Sequence, residues 1–583
     1  MMSRLAVAWS LICIFSAGFV TCAEAKSGSI PAVILIAPEA VRPVLTQHFS
    51  LPDDLMRTED ERVLFMRRAQ REIPELLMTE GYFSSKVSLR KVMGSGTLEV
   101  VVEPGALTRV NSVNIEFRGD IVQADVQRAQ ELRREWSLPQ GKGFSAVAWD
   151  RAKTDLLTQL ARKEYAAARI VDSAAKVDIP SATAQLNVVL DSGPRYRFGK
   201  MQVTGLERYT EAMVTRYASF KEGEPYDRNQ LLILQTRLQN LSQFSSIIVS
   251  LDMQAVAETP TGAVITAPVK VQIVEAQSRK VSTGLGYSTN NGMRSELSYL
   301  DNNFVGRAWA FSTALVLENN RQTLSTGIDT LPNPQGFRLQ WLASGERTTI
   351  QGLETLRDKF GVTRSHTVYG NEFNIGLNWQ QEKRIPDGGI RETNRALVLD
   401  WRWMQRAVDD PLMPMSGSLT EFRLGGAGKA ALSDEDFVRT YLRRQQWIPL
   451  GESDVISLRG ETGYTKSPTR VNIPQEYLFR VGGTQTVRGY AFQSLGVHEG
   501  DAVVGGRAMV AASVEYTHWF TSLGVAAFAD AGDAADSIEA LKPVIGYGFG
   551  ARWRSPVGPL ALDVARSKTV SDLMYHFSIA VAF

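Results

Sequence analysis

Small α/β repeats followed by a membrane-crossing antiparallel β-barrel of about sixteen strands form the fold class that this sequence predicts. Three observations point there: an apolar leader, a strand-helix-strand-strand pattern that recurs three times, and a change after Glu275 from helical to alternating periodicity. At 583 residues the chain is too long for one core, so several folding units are required. Beyond the leader no apolar run is long enough for a spanning helix, which excludes a helical membrane protein. A barrel stays open, because only alternate residues of each strand face lipid; a mean hydropathy of -0.13 is what such a chain gives.

The leader has one basic residue, Arg4, an apolar stretch from Leu5 to Val20, and the small-x-small sequence Ala23-Glu24-Ala25. This predicts an export signal over 1–25. A lipoprotein acylation site at Cys22 is the rival reading; Thr21 stands before it where a smaller residue is usual, so cleavage after Ala25 is favoured. Cys13 and Cys22 then leave with the leader, and the mature chain has no thiol for a disulfide framework or a thiolate metal site. The charge balance of 64 basic against 62 acidic residues gives nucleic-acid binding no support.

The first repeat, over 28–105, opens with Ala32 to Ala37, runs a helix through Val63, Ile73 and Leu77, breaks at Gly81-Tyr82-Phe83 and closes on Leu98 to Glu103. The second, over 106–194, opens with Val110 to Phe117, has Trp149 to Tyr165 as helix and closes on Leu186 to Asp191. The third, over 195–276, opens with Met201 to Thr204, places Leu231, Leu234, Leu238 and Leu241 on one helical stripe, and closes on Val269 to Glu275. Each closing strand alternates as a half-buried strand should, so each repeat is a βααββ unit whose apolar residues are core.

From 277 to 583 the alternation lengthens. Phe373, Ile375, Leu377 and Trp379 oppose Asn374, Gly376, Asn378 and Gln380; Leu397, Leu399, Trp401 and Trp403 oppose Val398, Asp400, Arg402 and Met404. A soluble sandwich alternates too. Strands about ten residues long with aromatic residues near their ends, charges on the inward phase and an export signal decide for a membrane barrel.

Specific motifs lie in the last quarter. Phe479 to Tyr490 reads FRVGGTQTVRGY, Phe528 to Gly532 reads FADAG, and Gly548 to Asp563 reads GFGARWRSPVGPLALD. In this order, after three repeats, they resemble the outer-membrane insertase and two-partner-secretion superfamily, and the repeats resemble its polypeptide-transport-associated (POTRA) domains. The resemblance covers nearly the whole mature chain. It implies an outer-membrane barrel with its repeats in the periplasm, acting on unfolded outer-membrane protein clients, autotransporter-like ones among them. It further implies the outer-membrane lipid around the barrel and a TamB-like inner-membrane-anchored partner at the repeats.

The resemblance also implies that the loop bearing Val487, Arg488, Gly489 and Tyr490 folds into the lumen, where Arg488 meets Asp530. Phe528, Asp530 and Gly532 share one strand phase, so an inward Asp530 needs a cation, and the planar arginine fork suits a carboxylate. An ordinary lumen ion pair that only steadies the loop is the bland alternative. Glu515, on the inward phase, is a candidate third member. The last strand sets Tyr575, Phe577, Ile579, Val581 and Phe583 on one face, resembling a barrel C-terminal signal, and His576, Ser578, Ala580 and Ala582 on the other. Closure should pair it with the first strand near Val281 to Tyr287. There Gly284 and Gly286 pack little, so a weak seam over Gly284, Gly286, Ala580 and Phe583 is expected, with Gly284 and Ala580 near each other.

Enzyme readings find no footing. His48, His366, His498, His518 and His576 have no metal-ligand spacing, Asp530, Asp533 and Asp536 lack a calcium-loop pattern, and neither a serine elbow nor a phosphate loop is present. No catalytic residue, metal or cofactor is expected. A two-partner secretion pore shares the barrel and the loop motif but usually carries two POTRA repeats and a plug helix; a diffusion porin explains neither the repeats nor the loop.

Overall fold

The computed structural model describes residues 33–51, 59–91, 98–253, 263–555, 558–568 and 573–582. The leader over 1–25 and Phe583 at the seam lie outside these residues.

Three three-stranded sheets come first. In one, β1 (Val33–Ile36) runs parallel to β3 (Leu98–Glu103), which pairs antiparallel with β2 (Lys86–Lys91). In the next, β4 (Arg109–Arg118) and β5 (Arg169–Asp178) flank β6 (Thr183–Asp191) in the same senses. In the last, β7 (Tyr196–Thr204) and β8 (Phe244–Leu251) flank β9 (Ile265–Glu275). The central strand of each sheet is therefore the last in sequence, and the two strands before it form the edges. Helices cover each sheet through spaced apolar stripes: Phe65, Ala69, Ile73 and Leu77 are all buried, as are Trp149, Ala152, Leu156 and Leu160. Each of the larger side chains, such as Phe65, Ile73, Leu77, Leu156 and Leu160, stabilises its repeat by about 1.5–3 kcal/mol. Val63 sits off the stripe and is exposed. Leu231, Leu234 and Leu238 are buried on the helix Arg228–Gln239, and Leu241 is buried just past its end.

The barrel follows. Its strands are β10 (Arg279–Ser288), β11 (Gly292–Phe304), β12 (Trp309–Glu318), β13 (Arg321–Asp329), β14 (Phe337–Ile350), β15 (Leu353–Val368), β16 (Asn371–Pro386), β17 (Glu392–Val408), β18 (Gly417–Ala427), β19 (Phe437–Pro449) and β20 (Asp454–Lys466). A short hairpin, β21 (Val497–Glu499) and β22 (Ala502–Val504), stands apart. Then β23 (Ala508–Trp519), β24 (Leu523–Ala535), β25 (Val544–Ser555), β26 (Gly558–Ser567) and β27 (Leu573–Ala582) complete the wall. Among the described residues sixteen strands, each antiparallel to its neighbours, close the barrel, with β27 paired to β10. Strand directions alternate, so every odd-numbered turn lies at one end; the end where β10 begins is called the entry end below.

Met201–Ser219 and Gln230–Ser250 belong to the same compact unit as the barrel. Tyr209 Oη donates to the Asn302 carbonyl (3.3 Å), Gln243 Nε2 to that of Ala308 (2.8 Å) and Tyr217 Oη to that of Pro332 (2.6 Å), all at entry-end turns. Glu275, closing β9, accepts from the backbone N–H of Glu207 (2.8 Å), Arg208 (2.9 Å) and Tyr209 (3.2 Å) and from Arg208 Nε (2.7 Å). Burial alone would raise its pKa, but these donors outweigh it and hold the carboxyl below its ordinary value. A depressed pKa stabilises the fold above the unfolded carboxylate value, about 4.3, and that stability is lost as pH falls through the folded value. Glu275→Gln should therefore cost roughly 2 kcal/mol at neutral pH, and less as the pH drops below the unfolded value. Denaturant unfolding of both proteins at neutral and acid pH measures the difference; equal gaps at the two pH values would remove Glu275 as the cause.

Candidate functional site

Between β20 and β23 the chain spends residues 467–507 on one long loop. It folds into the barrel: Phe479, Val481, Val487 and Tyr490 are buried with Met509, Ala511 and Ala534, which belong to the inward faces of β23 and β24. Gly489 has φ +88°, a left-handed conformation that glycine adopts without steric cost, and this turn presents Arg488 to the wall.

Arg488 Nε and Nη2 donate to the two oxygens of Asp530 at 2.7 and 3.0 Å, a bidentate pair, and the Arg488 backbone N–H adds a third bond of 3.0 Å. The Asp530 side chain is 0% exposed and that of Arg488 7%. Nη1 reaches Glu515 (2.6 Å) and Asp563 (3.2 Å), and Nη2 reaches the Ser513 hydroxyl (3.4 Å). Below the guanidinium lies the Phe528 ring, 3.4 Å from its centre to Cζ. Arg552 donates to Glu515 (2.8 Å) and is paired with Asp563. Two arginines thus share three carboxylates drawn from β23, β24 and β26, and the cluster is nearly charge-balanced, with Asp530 fully buried and Glu515 partly exposed to the lumen.

Small residues make room for it. A Cβ on Gly532 would press into the Val487 side chain, and one on Gly546 would overlap the carbonyl oxygen of Arg488. Gly546→Ala is expected to push the loop back at a cost of about 1–3 kcal/mol, the range for overpacking. Protease cleavage within 484–493 should accelerate while the folded barrel keeps its heat-modifiable migration; an unchanged cleavage rate would show that the loop does not rest on β25.

Arg488, Asp530, Glu515, Val487, Gly489, Tyr490, Phe528 and Gly532, the residues the sequence singles out, all come together at this cluster; Asp563, Arg552, Ser513 and His576, to which the motifs do not point, join them. Their signal was present, since each stands on the inward phase of one of the last strands, but what they touch depends on the inserted loop. His576 is the most informative: its Nε2 accepts from the Gly489 backbone N–H at 2.9 Å, tying the loop to the last strand. The inward face of β27 is therefore not made of small residues alone. A second anchor lies away from the motifs. Arg384 forks onto Glu499 of β21 (3.0 and 3.0 Å), Arg470 joins it (3.1 Å), and the backbone of Val503 donates to Gln351 (2.9 Å). Asp533 and Asp536 take part in turn contacts, with the Lys542 backbone and with Arg507.

The seam is short. Among the described residues β10 and β27 share five residue pairs, from Gly284 opposite Ala582 to Ser288 opposite Ser578, whereas β15 and β16 share sixteen. Beyond the ladder Thr289 N–H donates to the Phe577 carbonyl (2.9 Å). The register corrects one expectation: Ala580 stands opposite Gly286, and Gly284 is two residues away along the strand. Alternation fixes which face a residue occupies but not its partner, because a slip of two preserves the face.

The model of the Omp85 superfamily domain matches residues 277–581. This chain belongs to the Omp85 superfamily. Among curated relatives it is 21% identical over 562 residues to the outer membrane protein assembly factor BamA of Nitratidesulfovibrio vulgaris, covering 89% of this chain and 68% of that one. It is also 21% identical over 468 residues to BamA of Neisseria meningitidis serogroup B, covering 73% of this chain and 56% of that one. The chain thus spans little more than half of the second relative's length. The solved structure of BamA from Haemophilus ducreyi lacking POTRA domains 1–3 superposes with a TM-score of 0.67 at 18% identity, over 82% of this chain and 100% of the other. At that identity the likeness establishes a shared fold. Superfamily membership places the barrel in an outer membrane.

Proposed function

We propose that this Omp85 barrel is the TamA-type outer-membrane subunit of a translocation and assembly module, inserting or translocating outer-membrane proteins with autotransporter-like clients among them. The observation that carries this reading is the five-pair seam, whose closing strand is tied by His576 to the loop clamped at Arg488. Cross-strand pairs contribute some tenths to about 1 kcal/mol each, so a ladder this short opens at a cost that an added client strand can offset. The clamp is proposed to set the loop that steadies the seam. The work is mechanical, and no bond change is assigned to any residue.

On this reading 1–25 is removed, 28–105, 106–194 and 195–276 are POTRA domains in the periplasm, and 277–583 is the barrel. The open edges of β2, β5 and β8 suit capture of extended clients by strand addition. A TamB-type protein anchored in the inner membrane is the partner proposed at the repeats. Three repeats favour this over the two-partner secretion pore.

The test is reconstitution of the full chain in liposomes with an unfolded autotransporter barrel. Faster acquisition of heat-modifiable folded client than in empty liposomes is expected. No acceleration, together with a large steady conductance in planar bilayers, would replace the insertase reading with a pore.

A further inference from the structure

The membrane-facing wall over β12 to β17 carries a groove that neither the clamp nor the seam uses. Register fixes its face: Trp341 stands opposite Val362, Val362 opposite Leu377, and Phe360 opposite Trp379, all on the outward phase. A depression of about 420 Å³ lies among Phe311, Trp341, Phe360, Val362, Leu377 and Trp379, with no charged side chain in its lining. Ala343, opposite Phe360 on one side and Thr326 on the other, leaves the space between those large rings unfilled. An apolar trough on a surface already facing hydrocarbon is shaped for a chain, not for a polar solute.

Two residues beyond Val362, on the same face and toward the entry end, stands Arg364. Its ladder neighbours are Leu339 and Ile375, and its guanidinium lies 3.9 Å from the centre of the Phe337 ring, which in turn stacks on His366 at 4.2 Å. Among the described residues no carboxylate reaches ion-pair distance of Arg364. A guanidinium stays protonated, and on a lipid-facing wall it is costly unless it extends to the interface and meets an anion there. The anion available at a bilayer interface is a phosphate, which the arginine fork binds bidentately.

We propose that this wall is a binding site for one anionic glycerophospholipid of the entry-side leaflet, its phosphate on Arg364 and one acyl chain in the groove beside Ala343. A zwitterionic headgroup fits less well, because its ammonium partly cancels the charge that the unpaired arginine seeks. The site lies apart from the clamp and the seam, and the proposal does not depend on which clients the barrel handles.

The full chain is reconstituted in nanodiscs containing equal amounts of dioleoyl phosphatidylglycerol and dioleoyl phosphatidylcholine, and native mass spectrometry identifies the lipid retained on release. The wild type should retain phosphatidylglycerol with a preference of roughly tenfold, the scale of one charge-assisted contact. Arg364→Gln should abolish the preference, and Ala343→Phe, which fills the groove, should abolish retention. Equal retention of both lipids by the wild type, or a preference that survives Arg364→Gln, would overturn the proposal. A second readout avoids dependence on the folding of Ala343→Phe. Quenching of tryptophan fluorescence by phosphatidylglycerol with brominated chains should fall when Trp341 and Trp379 are replaced by Phe; quenching that does not change would place the chain elsewhere.

Discussion

Arg488→Ala is expected to free the lumen loop while the barrel wall stays folded. The substitution leaves Asp530, whose side chain is fully buried, without its cation, and removes one of the two arginines that hold Glu515 and Asp563. Breaking a buried pair by deleting one partner costs about 3 to 5 kcal/mol, and less where water can enter. The sixteen-strand ladder does not depend on that contact, so the loss should fall on the loop and on client assembly before it reaches barrel closure. Three measurements on one preparation separate these effects: heat-modifiable migration for the wall, protease cleavage within 484–493 for the loop, and client folding in liposomes for activity. A double-mutant cycle with Asp530→Asn should show coupling of 0.5–3 kcal/mol. The charge swap, Arg488→Asp with Asp530→Arg, should recover part of the activity at most, because Glu515 and Asp563 would then face an aspartate. Additive single effects would mean that the two residues do not act as a pair.

Locking the seam is expected to give the other large effect. Gly286 and Ala580 are direct partners across β10 and β27, so Gly286→Cys with Ala580→Cys places two thiols where a disulfide can close. The proposed mature chain lacks cysteine, so the introduced pair has no competitor. If clients enter through this seam, oxidation should stop assembly and reduction should restore it. Gly284→Cys with Ala580→Cys, two residues out of register, serves as the control that should crosslink poorly. Wild-type assembly rates in a demonstrably crosslinked protein would exclude lateral opening and leave bilayer perturbation at the closed wall as the remaining route.

The parts of the fold that periodicity encodes were legible in the chain. Leu231, Leu234 and Leu238 announce a helix with one buried face whatever they pack on, and the alternation around Phe373 to Trp379 announces a strand with one face in lipid. The motif residues at the clamp were legible through the family resemblance, which implied that Arg488 meets Asp530; strand phase added that an inward Asp530 needs a cation. The third carboxylate of the cluster and the histidine were not. Asp563 and His576 lie 75 and 87 positions along the chain from the residues they bond, and nothing local to either one marks it as different from other inward polar residues.

By itself, then, the sequence determined the order of the folding units, the alternation that makes about sixteen strands, and the need of an inward Asp530 for a cation, since all three rest on local period and on the cost of burying a lone charge. Tertiary structure alone decided the register of the seam, the pairing of Gly286 with Ala580, the second anchor at Arg384 and Glu499, and the placement of Arg364 beside an apolar groove. Each of these depends on which strands become neighbours and how far they slide, and a two-residue slide leaves every face, and therefore every local signal, unchanged.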